Sequence, residues 1–183
     1  MRATKRVVSG SVADASVKLM RKFQLELGGK NPTVVLDDAD LKVAVETVTN
    51  SAFFSTGQRC TAASRIIVTE GIYEKFVAGL TERAKGLKVG DALQAGIDMG
   101  PVVDASQLKQ DTDYIDIGKK EGAKLAAGGE LLKLKTPGYY LQPTLFTEAT
   151  NQMRISREEI FGPVASVIRV KDYDEALATA NDT

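Results

Sequence analysis

Short apolar runs alternate with segments of helical periodicity along most of the chain. The runs at residues 33–36 (TVVL) and 66–68 predict buried strands. Residues 41–54 carry apolar side chains at helical spacing, with Asp40 placed to cap the start of the helix and Gly57 placed to end it. The pattern therefore predicts a strand, a helix and a second strand in the first third of the chain.

The same alternation continues to the end of the chain and predicts the fold class. A short alternating pattern adds a strand at residues 23–27. The remaining predicted elements are helices at residues 72–87, 105–121 and 173–182 and strands at residues 124–129, 139–146 and 164–170. Because strands separated by helices are typical of α/β proteins, we predict one α/β domain with a three-layer arrangement, a largely parallel sheet flanked by helices.

Composition excludes several classes of function. The 24 Lys and Arg residues balance 24 Asp and Glu residues, so no basic field attracts nucleic acid. With no histidine, the chain cannot build Ser-His-Asp or Cys-His catalysis, and we predict no metal site. A single cysteine, no apolar run long enough to span a membrane and no signal-peptide pattern at the start predict a cytoplasmic protein without a membrane partner.

The only thiol belongs to Cys60, in the stretch STGQRCTAASR at residues 55–65. A lone cysteine is most often a small buried apolar residue. Its neighbours support a second interpretation, since Gly57 ends the preceding helix, Arg59 is adjacent and CTAAS can begin a new helical turn. Backbone N–H groups and a guanidinium favour the thiolate without any histidine, so both interpretations stay open here.

The stretch LELGGKNP, residues 25–32, also has two interpretations. Glu26 can face solvent beside an ordinary glycine turn. Alternatively, Leu25 and Leu27 bury its carboxyl group and adapt it to act as a general base, while Gly28 and Gly29 let a ligand approach the backbone closely. Residue chemistry alone does not choose between these alternatives.

Three motifs taken together resemble the aldehyde dehydrogenase superfamily. They are ELGGK at residues 26–30, GQRC at residues 57–60 and EEIFGPV at residues 158–164, in the order and approximate spacing of that family. The resemblance extends from Gly10 to the last residue. The sequences GQRCTA and GGKNPTVVLDDADL are most similar to those of semialdehyde dehydrogenases, particularly the 2-oxoglutarate semialdehyde (2,5-dioxopentanoate) type.

The resemblance implies NAD(P)-dependent oxidation of a small-molecule aldehyde to a carboxylic acid. At the position of Cys60 the family has a thiolate that forms a thiohemiacetal and then a thioester, with the backbone N–H of the cysteine as an oxyanion donor. At the position of Glu26 it has the general base for the hydrolytic water. Glu159 matches the residue that holds the nicotinamide ribose, and Phe161 matches the residue beside the nicotinamide.

The resemblance also implies a truncated catalytic domain over residues 1–183. Gly10 and Ser11 resemble the Gly-Ser of the loop that touches the cofactor pyrophosphate, but the helix after them is shorter by about two turns. We expect the Rossmann cofactor domain and the C-terminal segment of the family to lie outside these residues. The expected function is thus a catalytic core that does not transfer hydride by itself, with a catalytically silent, self-associating remnant as the alternative. The aldehyde, the choice between NAD and NADP, and homo-oligomer formation stay open.

Overall fold

Strands and helices alternate along the chain, as the apolar pattern predicts. The computed structural model describes residues 2–182, with side chains from residue 9 onward. In chain order the elements are α1 (Arg2–Lys18), β1 (Pro32–Val35), α2 (Leu41–Phe53), β2 (Arg65–Thr69), α3 (Glu70–Lys85), α4 (Ala105–Lys120), β3 (Lys124–Ala127), β4 (Leu131–Leu132), β5 (Tyr140–Leu141), β6 (Thr144–Ala149), α5 (Arg154–Arg157), β7 (Val164–Val170) and α6 (Tyr173–Asn181). A short 3-10 segment, Phe54–Gly57, follows α2 directly.

The main sheet has five strands in the order β1-β2-β7-β6-β3. The pairs β1–β2, β2–β7 and β7–β6 are parallel, and the β6–β3 pair is antiparallel. The strands β4 and β5 form a separate antiparallel pair. The sheet is therefore largely parallel, which confirms the fold class predicted from the sequence.

Apolar side chains pack on both faces of this sheet. Ile66 and Val68 of β2 join one core cluster with residues of α2 and α3. Ile67, between them, faces the opposite cluster, which contains residues of α4, α5 and α6. Because alternate residues of a strand point to opposite faces, a strand buried on both faces is apolar throughout, and the three-layer arrangement follows.

Most predicted elements match the structure to within a few residues. The predicted cap is confirmed, because the Asp40 side chain accepts a hydrogen bond from the Val43 N–H at 2.9 Å. The single strand predicted at residues 139–146 is instead two strands, β5 and β6. Pro143 has no N–H to donate, and the flanking Gln142 and Thr144 N–H groups bond to Glu130 and Pro163, outside any shared ladder.

The strand predicted at residues 23–27 is wrong. Residues 21–31 have no regular secondary structure, and Leu25 and Leu27 are both exposed. Alternating apolar residues stabilise a strand only where a neighbouring strand pairs with the backbone and a core covers one face. Neither condition is met for this segment within the described part of the chain.

No helix in residues 2–182 combines the length and apolar character needed to cross a membrane.

Candidate active site

The loop that carries Cys60 begins with an unusual backbone. Ser55, Thr56 and Gly57 have φ values of 54°, 59° and 65°, in the left-handed region. A Cβ atom at Gly57 would lie only 2.3 Å from the Gly162 carbonyl oxygen, so no larger residue fits there without movement. The chain therefore reverses tightly after α2, and Gly57 makes the close contact that joins this loop to the segment around Gly162.

Cys60 lies at the surface as a free thiol. The Ala62 N–H donates to the Arg59 carbonyl at 3.0 Å, which closes a turn around the cysteine. The Asn31 side-chain amide donates to the Cys60 carbonyl at 2.6 Å and ties the turn to the end of the LELGGKN segment. The new helical turn suggested for CTAAS is not formed, because residues 62–64 extend directly into β2.

The guanidinium of Arg59 makes its hydrogen bonds to the end of α2. It donates to the Asn50 carbonyl at 2.8 Å and to the Ser51 carbonyl at 3.1 Å. The Asn50 carbonyl also accepts the N–H of the cap residue Phe54, whereas Ser51 is among the last residues of α2, whose carbonyl groups a helix C-terminus leaves without an intrahelical partner. Arg59 therefore braces the loop against α2, a role that the sequence did not indicate.

A second segment, the loop at residues 158–162 before β7, forms the opposite wall of the pocket. Cys60, Glu159 and Phe161 line this pocket together. The Gly29 N–H donates to the Glu159 carboxylate at 3.2 Å, which connects the ELGGK motif to the same site. The structure thus brings three of the predicted site residues into one pocket, although Cys60 and Glu159 lie far apart in the sequence.

The two adjacent glutamates of this loop have different environments. The Glu158 carboxylate accepts hydrogen bonds from Arg154 at 3.0 Å and from the Tyr114 hydroxyl at 2.6 Å. The bond from Arg154 is the largest of several effects that lower the pKa of Glu158. Glu158 therefore anchors the loop, while Glu159 is the glutamate that faces the pocket.

Glu26 is exposed and is not among the residues that line the pocket. Its carboxylate accepts a hydrogen bond from the Gln24 side chain. Of the two interpretations of this stretch, the solvent-exposed one is confirmed for Glu26, since Leu25 and Leu27 are themselves exposed and do not bury its carboxyl group. The role of Glu26 as general base therefore stays a prediction, and the environment of its side chain gives no further support for it.

Gly10 and Ser11 lie inside α1 rather than in a loop. Both are exposed, and neither lines the pocket of Cys60. A Cβ atom at Gly10 would meet nothing within 4 Å, so this glycine is not required by a close contact among the described residues. The proposed contact with a cofactor pyrophosphate stays a prediction for both residues.

Two buried cationic side chains, Lys30 and Arg65, were not predicted from the sequence. Lys30 is only 8% exposed, and among the described residues its ammonium nitrogen has no hydrogen-bond partner. Burial and the neighbouring Arg65 lower its pKa from 10.5 to about 7. Arg65 is fully buried and donates to carbonyl groups that include Lys30, Thr179 and Ala180. It thereby fastens the end of α6 to the start of β2.

One buried acid, Asp111 of α4, was also missed. It is fully buried and accepts a hydrogen bond from the Gln107 side chain at 2.7 Å. Burial raises its pKa to about 7, although the Gln107 bond acts in the opposite direction. Asp111 lies among polar residues in the sequence, and nothing in that pattern distinguishes it from a surface aspartate.

Comparisons with known proteins agree with the motifs. A family model described as "Aldehyde dehydrogenase family" matches residues 4–183. An alpha-ketoglutaric semialdehyde dehydrogenase of Bacillus subtilis (strain 168) is 49% identical over 173 residues, covering 93% of this chain and 36% of the relative. An alpha-ketoglutarate semialdehyde dehydrogenase of Haloferax volcanii is 48% identical over 164 residues, covering 88% of this chain and 34% of the relative.

Solved structures give the same result for the fold. A crystal structure of betaine aldehyde dehydrogenase from Staphylococcus aureus in complex with NAD+ has a TM-score of 0.91 and 37% sequence identity, over 96% of this chain and 35% of that one. The chain thus spans about a third of the length of the relatives that it matches.

Proposed function

The chain belongs to the aldehyde dehydrogenase family, and from this premise we propose that it forms the catalytic core for NAD(P)-dependent oxidation of an aldehyde to a carboxylic acid. The observation that carries the proposal is the shared pocket of Cys60, Glu159 and Phe161. An exposed thiol beside a carboxylate and an aromatic ring provides a nucleophile and the means to hold one end of a cofactor.

Cys60 acts as the nucleophile in this proposal. Its sulfur bonds to the carbonyl carbon of the aldehyde and its backbone N–H donates to the oxygen that gains negative charge. The Ala62 N–H bonds to the Arg59 carbonyl, which belongs to the same peptide group as this donor, and the Asn31 side chain bonds to the carbonyl of the next peptide group. After oxidation the acyl group is held on Cys60 as a thioester, and water releases it as the acid.

The residues present fit the nicotinamide end of NAD(P). The Glu159 carboxylate can accept hydrogen bonds from ribose hydroxyls, and the exposed ring of Phe161 offers a flat apolar surface beside the pocket. When bound, NAD(P) supplies the hydride acceptor for the oxidation. We assign the hydrolytic water to Glu26 as general base, on the family position of that residue.

We propose a semialdehyde as the substrate class. The support is the similarity to alpha-ketoglutaric and alpha-ketoglutarate semialdehyde dehydrogenases, at 49% and 48% identity. We also place the protein in the cytoplasm, since a single exposed thiol suits a reducing compartment.

Burst kinetics with p-nitrophenyl acetate test the role of Cys60. The chain should release close to one equivalent of p-nitrophenolate rapidly, because acylation needs only a reactive thiol and local oxyanion stabilisation. Cys60→Ala should abolish the burst. Ser64→Ala is the matched control, because Ser64 is another residue of the same pocket with a nucleophilic side chain. This variant should keep the burst.

The alternative function, a catalytically silent domain that associates with itself, predicts no burst at all. Exposed apolar side chains favour this alternative, among them Val34 on the edge strand β1 at 39% exposure and Met20 at 95%. A concentration-dependent mass in sedimentation, together with no difference between the parent chain and Cys60→Ala in the ester assay, would support it over catalysis.

A further inference from the structure

A fully buried carboxyl group lies directly behind the loop that carries Glu159 and Phe161. A Cβ atom at Gly162 would lie 2.1 Å from Oδ1 and 2.4 Å from Oδ2 of Asp111. The three atoms nearest to that position all belong to the Asp111 carboxyl group. Gly162 is therefore glycine because the carboxyl group fills the space that any side chain would need.

Helix α4 also holds the residue on the other side of Phe161. The Gln107 side-chain amide donates to the Ile160 carbonyl at 2.9 Å and to Asp111 Oδ1 at 2.7 Å. The Gln110 side-chain amide donates to the same Ile160 carbonyl at 2.6 Å. The helix thus fixes both neighbours of Phe161 through one connected group of side chains.

These contacts continue to the loop of Cys60. The Gly162 carbonyl oxygen would lie 2.3 Å from a Cβ atom at Gly57, three positions before the cysteine. Phe161 between them has a φ of 62°, a conformation that a large side chain adopts only when its surroundings impose it. Asp111, Gly162 and Gly57 therefore form a continuous stack from α4 to the pocket.

We propose that Asp111 is a positioning residue that holds the Ile160–Gly162 segment, and with it Glu159 and Phe161, against the loop of Cys60. This inference rests on the proposed function, because it gives Asp111 a role in positioning residues of the same pocket.

The protonated carboxyl group is the form that suits this position. Asp111 Oδ2 is buried without a hydrogen-bond partner among the described residues, and burial raises the pKa of the group to about 7. The acidic groups on the adjoining loop are engaged elsewhere, Glu158 by Arg154 of α5 and Glu159 by the Gly29 N–H. On α4 itself, Lys109 pairs with an exposed aspartate.

The pH dependence of the contact follows from proton linkage. When the loop separates from α4, water reaches Asp111 and its pKa returns toward the ordinary 3.8. Between about pH 4 and pH 7, Asp111 is protonated while the loop packs on α4 and ionised once the loop has separated from it. Separation therefore releases a proton, and it becomes about tenfold easier with each rise of one pH unit across that window. Above pH 7 the group is ionised in both states and the dependence levels off.

Amide exchange at Val164, whose N–H donates to the Gly162 carbonyl at 2.8 Å, measures this opening. Corrected for intrinsic rates, its protection should fall about fiftyfold between pH 5 and pH 7. This fall should not depend on low urea concentrations, as expected for local opening. Asp111→Asn should remove the pH dependence. Asp113→Asn, an exposed change of the same kind on the same helix, should behave like the parent chain.

A pair of substitutions tests whether the contact positions the reactive loop. Gly162→Ala should slow acylation of Cys60 by p-nitrophenyl acetate about tenfold to a hundredfold, the cost of moving a reacting group by about 1 Å. Asp111→Ala alone should also slow acylation, because the segment loses the group that holds it. Adding Asp111→Ala to Gly162→Ala should raise the rate only to that of Asp111→Ala alone, because it removes the three atoms that collide with the new Cβ but not the need for a positioning group.

The two experiments fail in different ways. A double variant no faster than Gly162→Ala, or protection at Val164 that changes equally in the parent chain and Asp111→Asn, would overturn the positioning role. If the parent chain is not acylated at all, the proposed function fails, and the exchange measurement at Val164 alone decides the role of Asp111.

Discussion

Replacing Lys30 with methionine should stabilise the chain at neutral and acidic pH, by an amount that shrinks as the pH rises. Lys30 is 8% exposed, and its ammonium nitrogen has no hydrogen-bond partner among the described residues. Methionine is unbranched, flexible and apolar, so it can follow the same path without a charge. The substitution therefore removes a buried charge while keeping most of the packing.

The magnitude follows from the pKa of Lys30, which burial and Arg65 lower from 10.5 to about 7. Each pKa unit corresponds to about 1.4 kcal/mol, so burying the charged amine costs up to about 5 kcal/mol. For a base whose folded pKa is lowered, this cost is fully present below pH 7 and disappears as the pH approaches 10.5. The advantage of Lys30→Met should thus fall to about 2 kcal/mol at pH 9.

Urea unfolding followed by circular dichroism at pH 6, 7, 8 and 9 measures the free energy of unfolding of both proteins. Lys75→Met, on the exposed face of α3, is the matched control and should change stability by less than about 0.5 kcal/mol at every pH. A Lys30→Met protein less stable than the parent at pH 6, or an advantage that stays constant from pH 6 to pH 9, would refute the reasoning.

Three further predictions concern the pocket and its chemistry. Gly57→Ala should lower the free energy of unfolding in urea by at least about 1–2 kcal/mol, because φ is +65° and the new Cβ atom collides with the Gly162 carbonyl. Gly10→Ala, in α1, should instead raise the free energy of unfolding by up to about 1 kcal/mol. Similar effects of the two substitutions would contradict the loop geometry. Glu26→Gln should slow the loss of the acyl group from the modified chain, followed by mass spectrometry, and equal decay in parent and variant would remove Glu26 from the mechanism. Absorbance should show no NAD(P)H when the 183-residue chain is mixed with a semialdehyde and NAD or NADP, because hydride transfer needs the cofactor to be held in a fixed position against the substrate. Steady NAD(P)H production that Cys60→Ala abolishes would contradict this.

The sequence predicted those parts of the fold whose signal is local. The apolar run Ile66–Val68 of β2 is buried on both faces, and this burial makes it continuous rather than alternating. The cap at Asp40 depends on a bond to a residue three positions away. Residues 23–27 had a similar local signal, yet no strand pairs with them in the described part of the chain, since pairing is decided by distant segments.

The candidate site divides in the same way. Cys60, Glu159 and Phe161 were predicted from motifs, and the structure brings them together through the contact between Gly57 and Gly162. The buried charges were not predictable from the sequence pattern. A lysine or an aspartate in a polar stretch is usually solvated, and only the elements that pack over it from elsewhere determine that it is not.

The most direct test of the central claim, that Cys60 is the nucleophile, is the location of the acyl group after reaction with p-nitrophenyl acetate. Trypsin cleaves after Arg59 and Arg65, which releases Cys60 at the start of a short peptide, CTAASR. Mass spectrometry of a sample quenched within the burst should find one acetyl group on this peptide and none after Cys60→Ala. An unmodified CTAASR peptide, with the acetyl group on lysine-containing peptides instead, would contradict the account.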